Sequence, residues 1–225
     1  MPPPLAYAEA ARRHLRRRDP ALRAVLERVG PFALRLERNR FAALAWSIIS
    51  QQISVRAAAS IRRRLADLVA PRRLTPEVIA SLPLRKLRRA GLSRAKAASL
   101  HDLAAKVTAG VVNLRGLHRV DDEAVIEQLI QVKGIGRWTA EMFLIFALGR
   151  PDVLPVDDLG LRAGIQRLDG LDELPSKAEV IARGAVWQPY RSVATWYLWQ
   201  SLKQPALQGR VPGGRALRGG APERG

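Results

Sequence analysis

Two adjacent carboxylates, Asp157 and Asp158, are the residues of this sequence whose type and position best suit chemistry. They follow a loop interrupted by Pro151 and Pro155 and stand at the start of a helical segment, residues 159–167. Acidic residues at a helix start are ordinarily caps, because they accept hydrogen bonds from free backbone amides and suit the helix dipole. A carboxylate beside a bound substrate can also stabilise a cation or orient water. On spacing alone, the capping interpretation is favoured.

A glycine turn, Gly134-Ile135-Gly136, precedes these acids and has its own candidate chemistry. Two glycines allow a sharp backbone turn that exposes its amides and approaches a ligand closely. Amides at the start of the following helix are well suited to a phosphate. A bare Gly-x-Gly is more simply a helix C-cap, but Lys133, Arg137 and the helices predicted on both sides favour a phosphate-binding turn.

The chain is strongly basic, with 38 Lys and Arg against 20 Asp and Glu, a net charge of +18 and a pI near 11.5. Such a protein attracts a polyanion, because cations bound to a phosphate backbone displace condensed counterions. Charge alone does not separate a nucleic-acid-binding protein from a generally basic one. With 225 residues, 48% of them hydrophobic, the chain can bury a core as one domain or two small lobes.

Residue types that are absent or rare exclude several kinds of site. Without cysteine the chain has no disulfide, thiolate zinc site or iron–sulfur cluster. Nothing places its three histidines together, which disfavours a histidine metal site. No apolar run reaches the roughly 18–20 residues of a membrane span, and the early basic residues follow an apolar stretch, the wrong order for a secretory signal. We expect a cytoplasmic, nucleoid-associated protein with no membrane partner.

Helical periodicity runs through nearly the whole sequence and predicts an all-α fold, since no segment alternates convincingly as a strand. The segment Phe41–Ser50 is apolar on most faces and predicts a buried helix. Ser54 is the expected N-cap of a helix that ends near Val69. Beyond Pro205 the chain is rich in Gly, Pro and Arg, so residues 205–225 are predicted to be a disordered basic tail. Further helix starts are predicted at Thr75, Ser93, Asp121 and Ser176.

Several sequence blocks, in order, resemble the helix–hairpin–helix DNA glycosylase superfamily, and specifically its alkylation-repair branch, the 3-methyladenine DNA glycosylase II (AlkA-like) enzymes. Together they cover about Phe41 to Trp199. The blocks are Ser47–Val55, Ala90–Ala97, Val132–Ala140, Asp152–Gly160 and Trp187–Ser192.

The resemblance implies two helical lobes with a helix–hairpin–helix motif and an active-site cleft between them. Residues 33–150 would form the central lobe, and residues 1–32 together with 151–204 the second lobe. The family's catalytic aspartate falls on Asp158. Its hairpin holds DNA through backbone amides and a bound alkali-metal ion, Na⁺ or K⁺, which places Val132 as a backbone ligand of that ion.

The resemblance also implies the DNA and base contacts. Gln52, or its neighbour Gln51, would plug the gap left by the flipped nucleotide. The base pocket would be lined by Trp46, Trp138, Met142 and Trp199. The DNA-binding residues would be Gln51, Gln52, Lys133, Gly134, Ile135, Gly136, Arg137 and Thr139.

Two positions bear on the type of reaction. Bifunctional relatives, which also cut the strand, carry a nucleophilic Lys where this chain has Trp138, so lyase activity is not expected. Met142 stands where a Tyr is common in the family, which leaves the range of excised lesions open. No cofactor is required for the chemistry that this resemblance implies.

The function predicted from these observations is that of a monofunctional DNA glycosylase. Acting as a monomer on double-stranded DNA, it would flip an alkylated base and hydrolyse its N-glycosidic bond, as in base excision repair. The alternative is a noncatalytic helix–hairpin–helix DNA-binding protein, which leaves Asp158 and the aromatic residues unexplained. A basic RNA-binding protein fits the charge and nothing else.

Overall fold

The computed structural model describes residues 5–204, so the predicted tail at 205–225 lies outside the described residues. The described chain is helical and contains no β-strand, which confirms the all-α prediction. Two short 3₁₀ turns, Leu117–Arg119 and Ala185–Trp187, lie between helices. The helices are α1 Ala8–Arg18, α2 Pro20–Val29, α3 Arg40–Ser50, α4 Val55–Val69, α5 Pro76–Ser81, α6 Leu84–Arg89, α7 Arg94–Thr108, α8 Asp122–Ile130, α9 Arg137–Phe143, α10 Leu159–Asp169, α11 Lys177–Gly184 and α12 Arg191–Leu202.

Most of the helices begin where a short polar side chain accepts a backbone N–H of the first turn, which satisfies an otherwise unpaired donor. The caps predicted from the sequence at Ser54, Thr75, Ser93 and Asp121 are confirmed. Ser176 forms the predicted capping box with Glu179. Helix α9 continues as a π-helical turn, Leu144–Leu148, and ends at a left-handed Gly149.

The buried apolar side chains form two clusters, which we call the central lobe and the flanking lobe. The central lobe is built from α3 to α9, with Leu44, Leu100 and Phe143 fully buried. The flanking lobe joins α1 and α2 to α10–α12 around Trp187 and Tyr197. The chain therefore has the two helical lobes that the sequence predicted. The lobe boundaries at residues 32/33 and 150/151 stay a prediction.

A buried ionic network fastens the start of α2 to α11 in the flanking lobe. Asp19 accepts hydrogen bonds from the Leu22 amide at 3.0 Å and the Trp187 indole at 2.7 Å, and it pairs with Arg183 at 2.7 Å. Burial disfavours the charged form of Asp19, but these hydrogen bonds outweigh it and lower its pKa. Arg183 also pairs with Asp169 at 2.7 Å.

Four segments converge where the two lobes meet. They are the α3–α4 loop, helix α9, the loop before α10, and α12 at Trp199. Trp199 of α12 packs against both apolar clusters, so it connects the lobes directly. No described helix is both long enough and apolar enough to cross a membrane.

Candidate active site

A cavity of about 750 Å³ lies between the lobes, and we call it the base cavity. It is large enough for a flipped purine, and its walls are mostly apolar and aromatic. Both lobes contribute to it, the central lobe through α3 and α9 and the flanking lobe through the start of α10 and α12. The predicted site residues that line it are Trp46, Gln51, Gln52, Trp138, Thr139, Met142, Asp158 and Trp199.

Asp158 is fixed at the wall of the base cavity by three N–H donors. Its Oδ2 accepts the Trp138 indole N–H at 2.9 Å, and its Oδ1 accepts the Trp199 indole N–H at 2.7 Å. The Leu161 amide donates to Oδ1 at 2.6 Å, which makes Asp158 the N-cap of α10. Only 9% of the residue is exposed. The carboxylate is therefore desolvated yet well supplied with hydrogen bonds.

Asp157 has a different place and role from Asp158. Its side chain is 43% exposed and forms an ion pair with Lys177 at the start of α11. Spacing alone favoured a capping role for the acid pair, and the resemblance placed the catalytic aspartate on Asp158. The structure gives the cap to Asp158 itself, because the chain turns into α10 only after the second acid. Asp157 supports the loop from outside the base cavity.

Gly160 allows Trp199 to pack closely against Asp158, the catalytic candidate. This role of Gly160 was not predicted from the sequence. A Cβ at this position would lie 2.9 Å from Trp199 Cδ1 and 3.0 Å from both Trp199 Nε1 and Asp158 Oδ1. Any side chain would therefore push apart the indole and the carboxylate that it holds.

Two aromatic stacks form further walls of the base cavity. Phe146 stacks on Trp199, with ring centroids 5.6 Å apart and planes 12° apart. The Arg62 guanidinium lies over the Trp46 ring, 4.7 Å from its centroid. Phe146 is spaced four residues after Met142, which is itself four after Trp138, and helical spacing of this kind could have revealed it. Arg62 belongs to an exposed basic run with no distinguishing sequence signal.

The hairpin between α8 and α9 exposes backbone amides, as predicted. Gly134 adopts a left-handed φ of +83°, which glycine tolerates without steric cost. Within the described chain, no protein acceptor lies at the amide of Gly134 or Gly136, so both are free for a ligand. Lys133 is exposed beside them.

Two of the predicted hairpin residues already have partners within the protein. The side chain of Ile135 is 4% exposed and belongs to the central core, and its amide donates to the Val132 carbonyl at 3.0 Å. The side chain of Ile135 therefore anchors the hairpin from inside, and a contact with DNA through this residue stays a prediction. Arg137 is exposed, but both ends of its guanidinium pair with Glu123 at 2.7 Å. That ion pair competes with any phosphate.

A buried acid on the hairpin helix was not predicted from the sequence. Glu141 is 6% exposed, and its carboxylate lies 3.4 Å from the Arg137 guanidinium. Burial raises the pKa of Glu141 to about 7, with Arg137 acting in the opposite direction.

The two glutamines of the α3–α4 loop, residues 51–54, have different environments. Gln51 donates from its side-chain amide to the Gly134 carbonyl at 2.9 Å and to Thr139 Oγ1 at 3.3 Å. Gln51 is thus tied to the hairpin. Gln52 has an exposed side chain and a left-handed φ of +52°, uncommon for a residue other than glycine. Of the two plug candidates, only Gln52 has a side chain free to enter DNA.

The acidic and histidine side chains of the described residues form no group of three or more that could hold a metal ion. A cation at the hairpin would therefore depend on backbone carbonyls such as that of Val132, whose side chain is buried.

The family of the chain follows from a sequence comparison. A model of the HhH-GPD superfamily, base excision DNA repair proteins, matches residues 45–189. This match is more than half of the chain and includes the α3–α4 loop, the hairpin and Asp158. The chain belongs to the HhH-GPD superfamily. The resemblance predicted from its sequence blocks is confirmed.

Individual relatives of this HhH-GPD chain agree in both sequence and fold. It is 36% identical over 169 residues to the DNA-3-methyladenine glycosylase 1 of Schizosaccharomyces pombe, which covers 74% of each protein. A structure of the S. pombe 3-methyladenine DNA glycosylase in complex with abasic DNA superimposes with a TM-score of 0.82 and 33% identity, over 89% of this chain and 100% of that chain. A DNA-3-methyladenine glycosidase from Bacillus halodurans gives a TM-score of 0.76 and 37% identity, over 84% and 86% of the two chains.

Proposed function

We propose that this protein is a monofunctional DNA glycosylase that hydrolyses the N-glycosidic bond of alkylated bases, of the 3-methyladenine type, in double-stranded DNA. The observation that carries the proposal is the desolvated Asp158 carboxylate, held by two indoles at the wall of an aromatic cavity of purine size. A protein that only binds DNA has no use for such a group. The names of its relatives indicate the same class of substrate.

Binding begins with the hairpin and the α3–α4 loop. The free amides of Gly134 and Gly136 suit a backbone phosphate, with Lys133 adding charge beside them. The glycosidic bond is hidden in the duplex, so the damaged nucleotide must leave the stack, at a cost of a few kcal/mol. Gln52 fills the gap that remains. The flipped base enters the base cavity.

Recognition in the cavity rests on aromatic faces. Purines alkylated at N3 or N7 carry positive charge in the nucleotide, and a cation is attracted to the face of an indole. Trp46, Trp138, Trp199 and Phe146 supply such faces from both lobes. Met142 adds a flexible apolar wall whose shape can adjust to different bases.

Bond cleavage uses Asp158. As the base departs, the deoxyribose develops oxocarbenium character, as in glycoside hydrolysis, and the carboxylate stabilises that charge. An ionised carboxylate has about four acceptor positions, and three donors already occupy Asp158. The remaining position can accept a hydrogen bond from the attacking water and orient it. The electrons of the broken bond leave with the base, whose positive charge makes it a good leaving group. The water forms the new bond to C1′ of the sugar and releases one proton to solvent.

Strand cleavage is not part of the proposed reaction. A lyase needs an amine that forms a Schiff base with the sugar, and no lysine is found among the described residues that line the base cavity. The position that would carry it is Trp138, whose N–H instead holds Asp158. The expected product is therefore an intact strand with an abasic site.

The proposal also includes an alkali ion at the hairpin, a monomeric protein and a location in the cytoplasm. The Val132 carbonyl accepts one hydrogen bond, from Ile135, and keeps a second lone pair for Na⁺ or K⁺. A cation there would partly neutralise the bound phosphate. The carboxylate, its donors and the plug form a complete site within one chain, so the proposed reaction needs no residue from a partner subunit, and the protein would act as a monomer. A substrate of chromosomal DNA supports a cytoplasmic, nucleoid-associated protein.

Excision of methylated bases, assayed by alkaline cleavage of the abasic product on a gel, tests the proposal. Asp158→Asn should keep its affinity for DNA but lose about a hundredfold or more in rate, since it removes a preorganised charge. Asp157→Asn, at the exposed neighbour, is the matched control and should keep most activity. Equal excision by wild type and Asp158→Asn contradicts the assignment. DNA binding without base release by wild type would favour the noncatalytic alternative.

A second assay tests the absence of lyase chemistry. Borohydride reduces a Schiff base to a stable amine, so a lyase is trapped as a covalent complex with DNA during turnover. We expect no trapped complex with this protein under conditions where base excision is complete. A trapped adduct would show that the product is not an intact abasic strand and that an unassigned lysine reacts with the sugar.

A further inference from the structure

Helix α7 contacts both elements that are proposed to hold DNA, although no motif assigned it a function. Lys96, Ser99 and Asp102 are spaced three residues apart, so they share one face of α7. Lys96 bonds to the α3–α4 loop, while Ser99 and Asp102 contact the hairpin. The first turn of α7 is fixed by the Ser93 cap.

Lys96 holds the backbone immediately before Gln52. Its Nζ donates to the carbonyl of Ile49 at 2.8 Å and to that of Gln51 at 2.6 Å. These carbonyls lie at the end of α3, where the last backbone acceptors have no partner inside the helix. A positive charge is favourable there because the helix dipole is negative at its C-terminus. Lys96 is half-buried, and this partial burial lowers its pKa.

The conformation of Gln52 depends on what holds its neighbours. A left-handed φ at a residue with a Cβ is unfavourable and persists only where the surroundings enforce it. Gln51 is held on both sides: its carbonyl by Lys96 and its side chain by Gly134 and Thr139. Gln52 follows directly and points its side chain into solvent. Without the Lys96 bonds, the loop would relax and the side chain would turn.

The hairpin is seated farther along the same helix face. Asp102 accepts the Lys133 amide at 2.7 Å and is itself paired with Lys106 at 2.7 Å. Ser99 Oγ fills the space beside Gly134, lying 2.7 Å from where a Cβ would be. Lys96 and Asp102 are six residues apart, so α7 separates the two contact points by roughly 9 Å along its axis. One rigid helix therefore fixes the spacing between the α3–α4 loop and the hairpin.

We propose that Lys96 is a positioning residue that holds Gln52 in the orientation needed to enter the duplex, with α7 setting the distance from this plug to the hairpin. The inference rests on the proposed function, because it takes Gln52 as the plug. Lys96 acts through Gln52 and touches neither the base nor the sugar. It is absent from the lining of the base cavity, and both of its bonds are made to backbone carbonyls.

A double-mutant cycle between Lys96 and Gln52 tests this role. Lys96→Met removes the amine and keeps most of the apolar stem, and we expect roughly a tenfold or larger loss in the excision rate on methylated duplex DNA. Gln52→Ala should cause a loss of its own. In the Gln52→Ala background, Lys96→Met should add almost nothing, because there is no plug left to position. A merely structural role would lower activity equally in both backgrounds.

Two controls accompany the cycle. Lys86→Met removes one exposed positive charge from α6 and measures what charge loss alone does to DNA binding. Thermal unfolding of each variant shows whether it is folded at the assay temperature. If Lys96→Met does not fold, the cycle is repeated with Lys96→Gln, whose amide can still donate to one of the two carbonyls.

The outcomes separate this inference from the proposed function. If Gln52→Ala excises methylated bases from duplex DNA as fast as wild type, the plug assignment fails, and the role of Lys96 fails with it. If Gln52→Ala is slow but Lys96→Met is as fast as wild type, only the positioning role is refuted. The same holds if the losses of the two variants multiply in the double mutant. Non-additive losses support it.

Discussion

Replacing Gly160 with alanine adds one methyl group behind the proposed catalytic carboxylate and removes no functional group. The new Cβ would meet Trp199 Cδ1 at 2.9 Å and Asp158 Oδ1 at 3.0 Å. Ordinary carbon contacts begin near 3.4 Å, so the indole must retreat by about 0.5 Å and the carboxylate by about 0.4 Å. Both movements strain the 2.7 Å hydrogen bond between them.

The expected loss in excision rate can be estimated from how far a catalytic group may move before the reaction slows. Catalytic groups work when held within about 0.5 Å of the productive position, and a 1 Å displacement can cost a hundredfold in rate. Gly160→Ala should therefore lower the rate constant for base excision by roughly tenfold to a hundredfold, or ~1.4–2.7 kcal/mol. Affinity for abasic duplex DNA should hardly change, because the hairpin and the α3–α4 loop belong to the central lobe.

Single-turnover excision on methylated duplex DNA measures this rate without product release. The matched control is Gly164→Ala on the same helix, whose Cβ would lie 2.7 Å from Leu198 Cβ. It overpacks the contact between α10 and α12 without approaching the carboxylate, so it reports the effect of lost stability. If Gly160→Ala is no slower than Gly164→Ala at equal thermal stability, the contact between Trp199 and Asp158 is not required for catalysis.

Two further predictions concern DNA affinity and stability. Gly134→Ala should weaken binding to abasic duplex DNA about tenfold, since it strains the hairpin at φ +83°, whereas Gly110→Ala, strained at φ +77° but in open space, should not. Equal affinities in a fluorescence titration would contradict the phosphate-binding role of the hairpin. Asp19→Asn should cost about 2–3 kcal/mol of unfolding free energy at pH 7, because it weakens the buried pair with Arg183. The pKa of Asp19 is lowered in the folded state, so the advantage of wild type is present above the unfolded pKa near 4 and is lost as the pH falls through the folded value. Urea titrations of both proteins at pH 7 and at pH 3 should show the difference shrinking, and a constant difference would count against the ionic network.

Local features of the fold could be predicted from the sequence because they depend on neighbouring residues. Helix starts could be predicted from the caps Ser54 and Ser93 and from the Ser176 capping box, since a cap and its first turn lie within four residues. The glycine turn and the acid pair were also recognisable as candidates. The family resemblance then selected Asp158 over Asp157, which spacing alone could not do.

Contacts between distant segments could not be predicted in this way. The indole of Trp199 reaches Asp158 across 41 residues of chain, and Gln51 reaches Gly134 across 83. Both depend on how helices of separate segments pack, and no local pattern encodes that. The burial of the Ile135 side chain could not be predicted for the same reason, because tertiary packing decides which side of the hairpin faces the core. The roles proposed for Gly160 and Lys96 likewise depend on distances between residues that are far apart in the sequence.

The proposed DNA contacts and the proposed catalytic carboxylate lie on different lobes, which affects what a partly unfolded molecule could do to DNA. The hairpin and Gln52 belong to the central lobe, whereas Asp158 is supplied by the start of α10 and gains a donor from each side of the cleft. If the flanking lobe opens away from the central lobe, the hydrogen bond from Trp138 is lost and Asp158 moves away with α10, while the hairpin and Gln52 keep their places. On the proposed function, a molecule with a displaced flanking lobe would still bind DNA but would not remove bases from it. Because the carboxylate is in place only when both lobes are folded and closed, a misfolded molecule would lose base excision. It would therefore not create unwanted abasic sites in DNA.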